Sequence, residues 1–501
     1  MSMPGTVLDM LSVIEGTLSA IDDGVLRLRY ADVLRSVAAE AHWLQAMNVR
    51  RCALLAENST RWILSDLALL ACEAVNVPLP QSFTCEQTAH VLEEAGIEWV
   101  LTDAAGRFTE DHPAFTLVGT SHRTGLALLH RAGNTVQKGA SFTDLSKVTY
   151  TSGSTGAPKG VCLGAAAIQL VSDSLVAATA GLGIRTHLCL LPLATLLENI
   201  AGVYVPLTMG AKIVVPPCHA TGVSYAGLKV PLLLRTLDST QPDSTILVPE
   251  LLRALLYAVR SGWRAPPSLK FIAVGGGAVS TELLQQARCA GLPVFQGYGL
   301  SECASVVCLN TPGCHKPDSV GRPLPHAKLR IDANGEICVS GATMAGYLGG
   351  PLQHSPEVRT GDLGEIDADG FVYVRGRIKN MFITSMGRNI TPEWVERELT
   401  AEPEILQVMV SGEAKPYPVG LVLARSDVGA GAIDAAIARA NSRLPDYAHV
   451  RRWALFPDVP SLANGMLTAN GRLRRAAIAA KYHQLLDSLY DHAADNLHEV
   501  P

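Results

Sequence analysis

The stretch Tyr150-Thr-Ser-Gly-Ser-Thr-Gly-Ala-Pro-Lys-Gly-Val161 carries the side chains and backbone freedom needed to hold a polyphosphate. It contains three glycines, four serine or threonine hydroxyls ahead of its lysine, and one proline. Gly153, Gly156 and Gly160 let the backbone turn tightly and approach a ligand with no Cβ in the way. Ser152, Ser154 and Thr155, with the amides between them, can converge on phosphate oxygens as an anion-binding nest. Lys159 adds a positive charge. The stretch departs from the G-x-x-x-x-G-K-[ST] pattern, because Gly160 follows the lysine and only two residues separate Gly153 from Gly156. A flexible Ser/Gly linker would need neither a lysine nor a proline at fixed places.

Two further loops share this character. Phe271-Ile-Ala-Val274 reads as a strand running into Gly275-Gly-Gly277, and Val294-Phe-Gln296 leads into Tyr298-Gly-Leu-Ser-Glu302. Lys147-Val-Thr-Tyr150 reads as a strand too, so the first loop hangs from the edge of a sheet. Ligands of open parallel sheets sit beyond the carboxyl ends of the strands, which places one site across all three loops.

The flanking pattern supplies the scaffold. Residues 7–50 read as amphipathic helices. From Arg51 strands and helices alternate: strands at 52–55, 75–79 and 99–101, helices at 58–71 and 85–95, with Ser59 or Thr60 near an N-cap. After the loop come a helix at 165–180 and buried strands at 188–192, 212–215 and 244–248. Such alternation implies a parallel sheet covered on both faces. Past Gly321 turns become frequent and strands short, which suggests a small antiparallel sheet or barrel. A third unit starts at Arg375-Gly-Arg-Ile-Lys-Asn380. Its helix at 392–399, strands at 407–410 and 418–424, helix at 433–441 and closing helix at 474–490 make it α+β.

Bulk properties exclude several classes. Apolar residues make up 48% of the 501 and charged residues 17%, the balance of a folded enzyme rather than a disordered chain. A net charge of −5 without a basic block argues against nucleic acid. The start lacks a basic segment followed by an apolar one, so no secretory signal is expected. The most apolar stretch, 188–211, is interrupted by Glu198 and Asn199, which argues against a membrane span. Eleven cysteines form no C-x-x-C pair, and Cys303, Cys308 and Cys314-His315 lack zinc-site spacing. A reducing cytoplasm fits this usage.

The order of these segments resembles the adenylate-forming superfamily, which includes acyl-CoA synthetases, adenylation domains of peptide synthetases and luciferase-like enzymes. The resemblance runs from about Arg51 to Arg475. Its carriers are the loop at 150–161, Tyr298-Gly-Leu-Ser-Glu302 (serine where threonine is usual), Thr360-Gly-Asp362, and Gly376-Arg-Ile-Lys-Asn380 followed by Gly387-Arg-Asn-Ile390 and Pro392-Glu-Trp-Val-Glu396. Leu191-Pro-Leu-Ala-Thr-Leu-Leu-Glu-Asn199 and Asn464-Gly-Met-Leu-Thr468 lean toward the long-chain acyl-CoA synthetase branch.

The resemblance implies an α/β fold: an N-terminal domain over 1–376 with a β-rich subdomain near 321–376, a hinge at 377–380, and a mobile C-terminal domain over 381–501. It implies an ATP site made of Thr151, Ser152, Gly153, Ser154, Thr155, Gly156 and Lys159. Gly275, Gly276, Gly277 and Tyr298 would enclose adenine. Asp362 would accept from the ribose hydroxyls, and Arg377 would hold ribose or phosphate. Glu302 and Thr155 would take Mg²⁺, as hard oxygen donors do. Ser301 would donate to the α-phosphate or the substrate carboxylate, and Thr195 and Gly299 would line the acid pocket. Lys379 matches the hinge position about which the C-terminal domain rotates between half-reactions. The expected cofactors are ATP, Mg²⁺, and CoA or phosphopantetheine as acceptor. The expected partners are a carboxylic acid and an acyl carrier protein.

Two departures leave alternatives open. The family's C-terminal catalytic lysine falls here on Arg472, which keeps the charge but replaces a compact ammonium with a planar fork. Arg472 then takes over the role, adenylation is slow, or a pre-formed acyl-adenylate or CoA ester is the substrate. At Thr195 relatives carry histidine or an aromatic residue. The leading reading is an AMP-forming acid–thiol ligase on a fatty or related acid. The alternatives are acyl transfer to an amine, closure of a lactone, or a non-catalytic nucleotide- or acyl-binding relative.

Overall fold

The computed structural model describes residues 7–131, 144–151, 158–224, 227–350, 356–461, 463–468, 472–490 and 498–499. The alternating pattern builds two large sheets. In the nine-stranded one, Val294–Leu300, Phe271–Val274, Ser244–Leu247, Thr186–Leu188, Lys212–Val214 and Ser19–Asp22 run side by side and parallel. The eight-stranded sheet has a parallel centre of Lys147–Thr151, Val75–Pro78, Arg51–Leu55 and Trp99–Thr102. Val75–Pro78 is buried at every position, as expected of a strand covered on both faces. Ser59 caps the helix Thr60–Ala71 by accepting from the Trp62 amide, satisfying one orphan donor of its first turn.

One core joins the two sheets. Cys52, Leu54 and Val161 from one and Ile213 from the other pack with Tyr30, Trp62, Leu67 and Leu207. Tyr30 stitches it further, its hydroxyl lying 3.0 Å from the Leu207 carbonyl and 2.8 Å from that of Ala211. Among the described residues one helical stretch, Ala165–Leu182, is long and apolar enough to cross a membrane. Its face of Ala167, Ile168, Val171 and Leu175 belongs to this same core. Within the stretch 188–211 a largely buried π-helix, Glu198–Tyr204, continues into the short α-helix Val205–Thr208.

Past Gly321 an antiparallel sheet follows in the order Ala327–Ile331, Glu336–Gly341, Val358–Ile366 and Val372–Arg377. The C-terminal sheet pairs Ile405–Ser411 with Val419–Ala424 and that strand with Arg452–Leu455. Side chains alternate across it: Val408 and Val410 enter the core under the helices Pro392–Leu399 and Ala430–Asn441, whereas Met409 enters the core that contains Ile478 and Leu486. This is the two-residue period of a strand packed on both faces. The fold class is α/β with a β-rich unit and an α+β unit, as expected from the pattern.

Three local expectations differ. Within 7–50, Ser19–Asp22 and Arg27–Arg29 form a hairpin that extends the nine-stranded sheet. The strand expected at 188–192 is Thr186–Leu188; Pro192, with no N–H to give a ladder, lies where the chain has already turned toward the π-helix. The phosphate loop does not hang from an edge. It joins two antiparallel neighbours, Lys147–Thr151 and Lys159–Leu163, and Gly346–Tyr347 pairs outside the second.

Candidate active site

Strand ends from both large sheets and one residue of the C-terminal unit converge on the glycine-rich loops. Thr151, the last residue of its strand, is paired in register with Lys159, so the loop between them starts and ends at one point. Ser152, Gly153, Ser154, Thr155 and Gly156 lie outside the described residues. Packing at Gly160 is tight: a Cβ there would stand 3.1 Å from Leu348, Tyr150 and Val148.

Tyr347, which the sequence reading did not single out, connects this loop to the expected metal residue. The Lys159 ammonium stands 5.8 Å from the centre of the Tyr347 ring. The Tyr347 hydroxyl donates to Glu302 Oε1 at 2.8 Å. Burial and the Glu302 charge push the phenol's pKa up, so it remains a donor. A Gly-Tyr pair three residues beyond Thr343-Met344 carries no period or spacing that would have marked it.

Ser301 and Glu302 are presented by a strained corner. Tyr298 and Gly299 flank a register shift in the pairing of Val294–Leu300 with Ser305–Leu309, a bulge that re-aims the chain. A Cβ on Gly299 would lie 2.0 Å from the Ser305 carbonyl oxygen. Ala304 and Ser305 hold positive φ of 52° and 105°, conformations that non-glycine residues adopt only when the surroundings impose them. Gly299 therefore serves the backbone at this corner.

Asp362 is 4% exposed and has a partner on each oxygen. Its Oδ1 pairs with Arg377 Nε at 2.7 Å, and its Oδ2 accepts from the Tyr298 hydroxyl at 2.7 Å. Asp362 and Arg377 face each other across the antiparallel ladder, so sheet register sets this pair. Burial pushes the Asp362 carboxyl up, against the pull of Arg377 and Tyr298.

Arg472 reaches the site from the C-terminal unit, donating from Nε to the Gly276 carbonyl at 3.0 Å. Crowding by protein and the Arg377 charge draw its pKa down, while Asp362, Glu250 and Glu393 oppose this. Lys379 is exposed at the site's rim; partial burial and the charges of Arg377 and Lys159 lower its pKa. Gly376 precedes it with φ 153° and would place a Cβ 1.9 Å from Thr391 Cγ2. Gly275, Gly276 and Gly277 follow the strand Phe271–Val274 directly, with Gly276 at φ 75°. Thr195 is half-buried at the turn into the π-helix, where its carbonyl accepts from the Asn199 amide at 3.0 Å.

The site thus presents one anion–cation–phenol group (Asp362, Arg377, Tyr298), one carboxylate held by a phenol (Glu302, Tyr347), and three further cations (Lys159, Lys379, Arg472). Cations converging on glycine loops suit a polyanion, and the half-buried Glu302 carboxylate is an oxygen donor of the kind Mg²⁺ prefers.

Comparisons with known proteins place the chain in a family. The family model for AMP-binding enzymes matches residues 16–348, and that for the AMP-binding enzyme C-terminal domain matches 379–494. The chain is 27% identical to the long-chain-fatty-acid–CoA ligase FadD15 of Mycobacterium bovis over 92% of each chain. The solved structure of o-succinylbenzoate coenzyme A synthetase (MenE) from Bacillus subtilis, in complex with ATP and magnesium ion, matches with a TM-score of 0.74 at 23% identity, covering 94% of this chain and 98% of that one. The amide bond synthetase McbA from Marinactinospora thermotolerans matches with a TM-score of 0.76 at 21% identity, covering 95% and 99%. The chain belongs to the AMP-binding enzyme family, within the adenylate-forming superfamily.

Proposed function

We propose that this enzyme is an AMP-forming acid–thiol ligase that activates a fatty or related carboxylic acid and passes the acyl group to CoA. The observation that carries this reading is the meeting of Arg472 with the Gly276 carbonyl, beside the Asp362–Arg377–Tyr298 group. This contact brings a C-terminal cation to the nucleotide loops, and in the proposed reaction its charge would serve the carboxylate that attacks the α-phosphorus of ATP. Attack forms the acyl–phosphate bond and breaks the bond to the β-phosphate, releasing pyrophosphate. Both reactants are anions, so positioning and charge neutralisation supply most of the rate. Lys159 would hold the leaving pyrophosphate, Asp362 the ribose, and Tyr298 with Gly275–Gly277 the adenine. Glu302 would hold Mg²⁺, which neutralises phosphate charge when bound. Thiol attack on the acyl carbonyl then releases AMP.

The relatives support this reading, since FadD15 is named a long-chain-fatty-acid–CoA ligase. We extend the proposal to a hinge at 377–380 between units 1–376 and 381–501, to a cytoplasmic location, and to an acyl carrier protein as alternative acceptor. The hinge draws support from Gly376, whose φ of 153° and close approach to Thr391 favour glycine just before it.

A second reading, transfer to an amine, is favoured by the likeness to an amide bond synthetase and by Arg472 and Thr195 in place of the residues usual in the family. ATP-to-AMP conversion across a panel of acids, with CoA, pantetheinylated carrier or amines added in turn, separates the two. The true acceptor accelerates AMP release; no AMP from any acid would sink both.

A further inference from the structure

Away from the nucleotide loops, a cluster of three buried side chains with metal-ligand chemistry has no role in the adenylation reading. His187 lies on the strand Thr186–Leu188, Cys189 follows that strand, and Glu198 opens the π-helix. His187, Cys189 and Glu198 are 3%, 0% and 0% exposed, and one ligand atom from each lies within 4.8 Å of the others. His187 Nε2 is 3.9 Å from Glu198 Oε1.

Among the described residues neither Glu198 oxygen nor His187 Nε2 makes a hydrogen bond. A carboxyl group with neither oxygen in a close hydrogen bond at full burial is costly, and the groups nearest to it are the His187 ring, the Cys189 thiol and the Leu190 backbone. The π-helix itself leaves room at this spot, one turn beyond Glu198. A Cβ on Gly202 would lie 2.9 Å from Glu198 Oε1 and 3.1 Å from His187 Nε2, so glycine keeps open the space between the two. The imidazole is already oriented, with Nδ1 2.8 Å from Ser244 Oγ. That contact turns Nε2 toward the cluster, as outer hydrogen bonds do for metal-binding histidines.

We propose that His187, Cys189 and Glu198 form a binding site for one Zn²⁺ ion, distinct from the Mg²⁺–nucleotide site. Imidazole, thiolate and carboxylate are the zinc donor types, and three protein ligands leave a fourth position for water. Mg²⁺ is disfavoured because two of the three donors are nitrogen and sulfur. Thiolate and carboxylate together cancel the ion's charge, so the loaded site is neutral, as burial demands. Binding displaces the thiol and carboxyl protons. The ion would pin the end of a central strand to the π-helix and fix the intervening segment that carries Thr195.

The test uses the full chain, stripped with a chelator and then given Zn²⁺ or Co²⁺. One zinc per chain should survive gel filtration, and the cobalt form should show a thiolate-to-cobalt charge-transfer band. Cys189→Ser should remove that band, whereas Cys85→Ser/Cys289→Ser, which alters the two exposed thiols, should keep it. Ser244→Ala should weaken zinc binding about 10- to 100-fold while leaving all three ligands in place. Failure of the wild-type chain to retain zinc, or a cobalt band that persists in Cys189→Ser, would overturn the site. Neither readout requires adenylation activity, so the outcome is independent of the proposed function.

Discussion

Arg472 and Gly276 are 196 residues apart in sequence, yet the guanidinium Nε donates to the glycine carbonyl at 3.0 Å. The bond brings the C-terminal unit over the loop that follows Phe271–Val274 and aims a fixed cation at the site. Arg472→Ala should reduce pyrophosphate exchange roughly 100- to 1,000-fold, the cost of removing one preorganised donor from a developing charge. Thioester formation from supplied acyl-adenylate should be largely unaffected, because the cation serves the first half-reaction. Arg472→Lys restores the charge without the fork and should recover part of the rate. Equal exchange by the alanine variant and the parent would remove Arg472 from adenylation.

The Tyr347–Glu302 hydrogen bond should matter to magnesium. Tyr347→Phe removes a donor to a carboxylate, an interaction worth about 1.5–3 kcal/mol, and leaves the ring beside Lys159. The Mg²⁺ concentration needed for half-maximal adenylation should shift by about tenfold or more, with the KM for the acid unchanged. A variant with the parent's magnesium dependence would show that Tyr347 serves packing alone.

His326 should make the β-rich unit acid-sensitive. Burial lowers its pKa from 6.5 to about 4, against the pull of the Val306 backbone. Between those values the unfolded chain binds the proton and the folded chain does not. The stabilisation is therefore present above pH 6.5 and is lost as pH falls toward about 4. The slope is at most about 1.4 kcal/mol per pH unit. Urea midpoints of the parent and His326→Gln should diverge between about pH 7 and about pH 4.5, the variant falling less. Parallel decline in both would show that carboxylates alone set the acid limit.

Much of the scaffold was legible because local rules and tertiary demands coincide. The helix Pro392–Leu399 begins and ends at the residues its pattern indicates, with proline at its first position and an apolar face of Val395 and Leu399. Asp362 and Arg377 were identifiable as separate motif residues, but their mutual ion pair depends on strand register. The hairpin Ser19–Asp22/Arg27–Arg29 escaped notice because it is short and half-exposed, and it pairs with a strand nearly 200 residues away. Tyr347 and the His187–Cys189–Glu198 cluster were illegible for a related reason. Their partners are brought together by the crossing of elements, not by spacing along the chain.

The joint between Lys147 and the π-helix shows the same dependence and offers the largest expected effect on stability. Lys147 begins the strand that leads into the phosphate loop, and its ammonium lies 2.8 Å from Asp66 Oδ1. Asp66 also accepts from Asn76 at 2.6 Å, Asn199 at 2.8 Å and Tyr204 at 2.7 Å. Lys147 donates in turn to Asn199 Oδ1 and Tyr204 Oη. Both charges are almost fully buried, so removing one leaves the other without its counter-charge. Lys147→Met should cost about 3–5 kcal/mol in denaturant unfolding. Lys147→Met/Asp66→Asn should recover part of that loss, since no lone charge remains inside. Additive losses in the double variant would mean that the two residues stabilise the joint independently rather than as a pair.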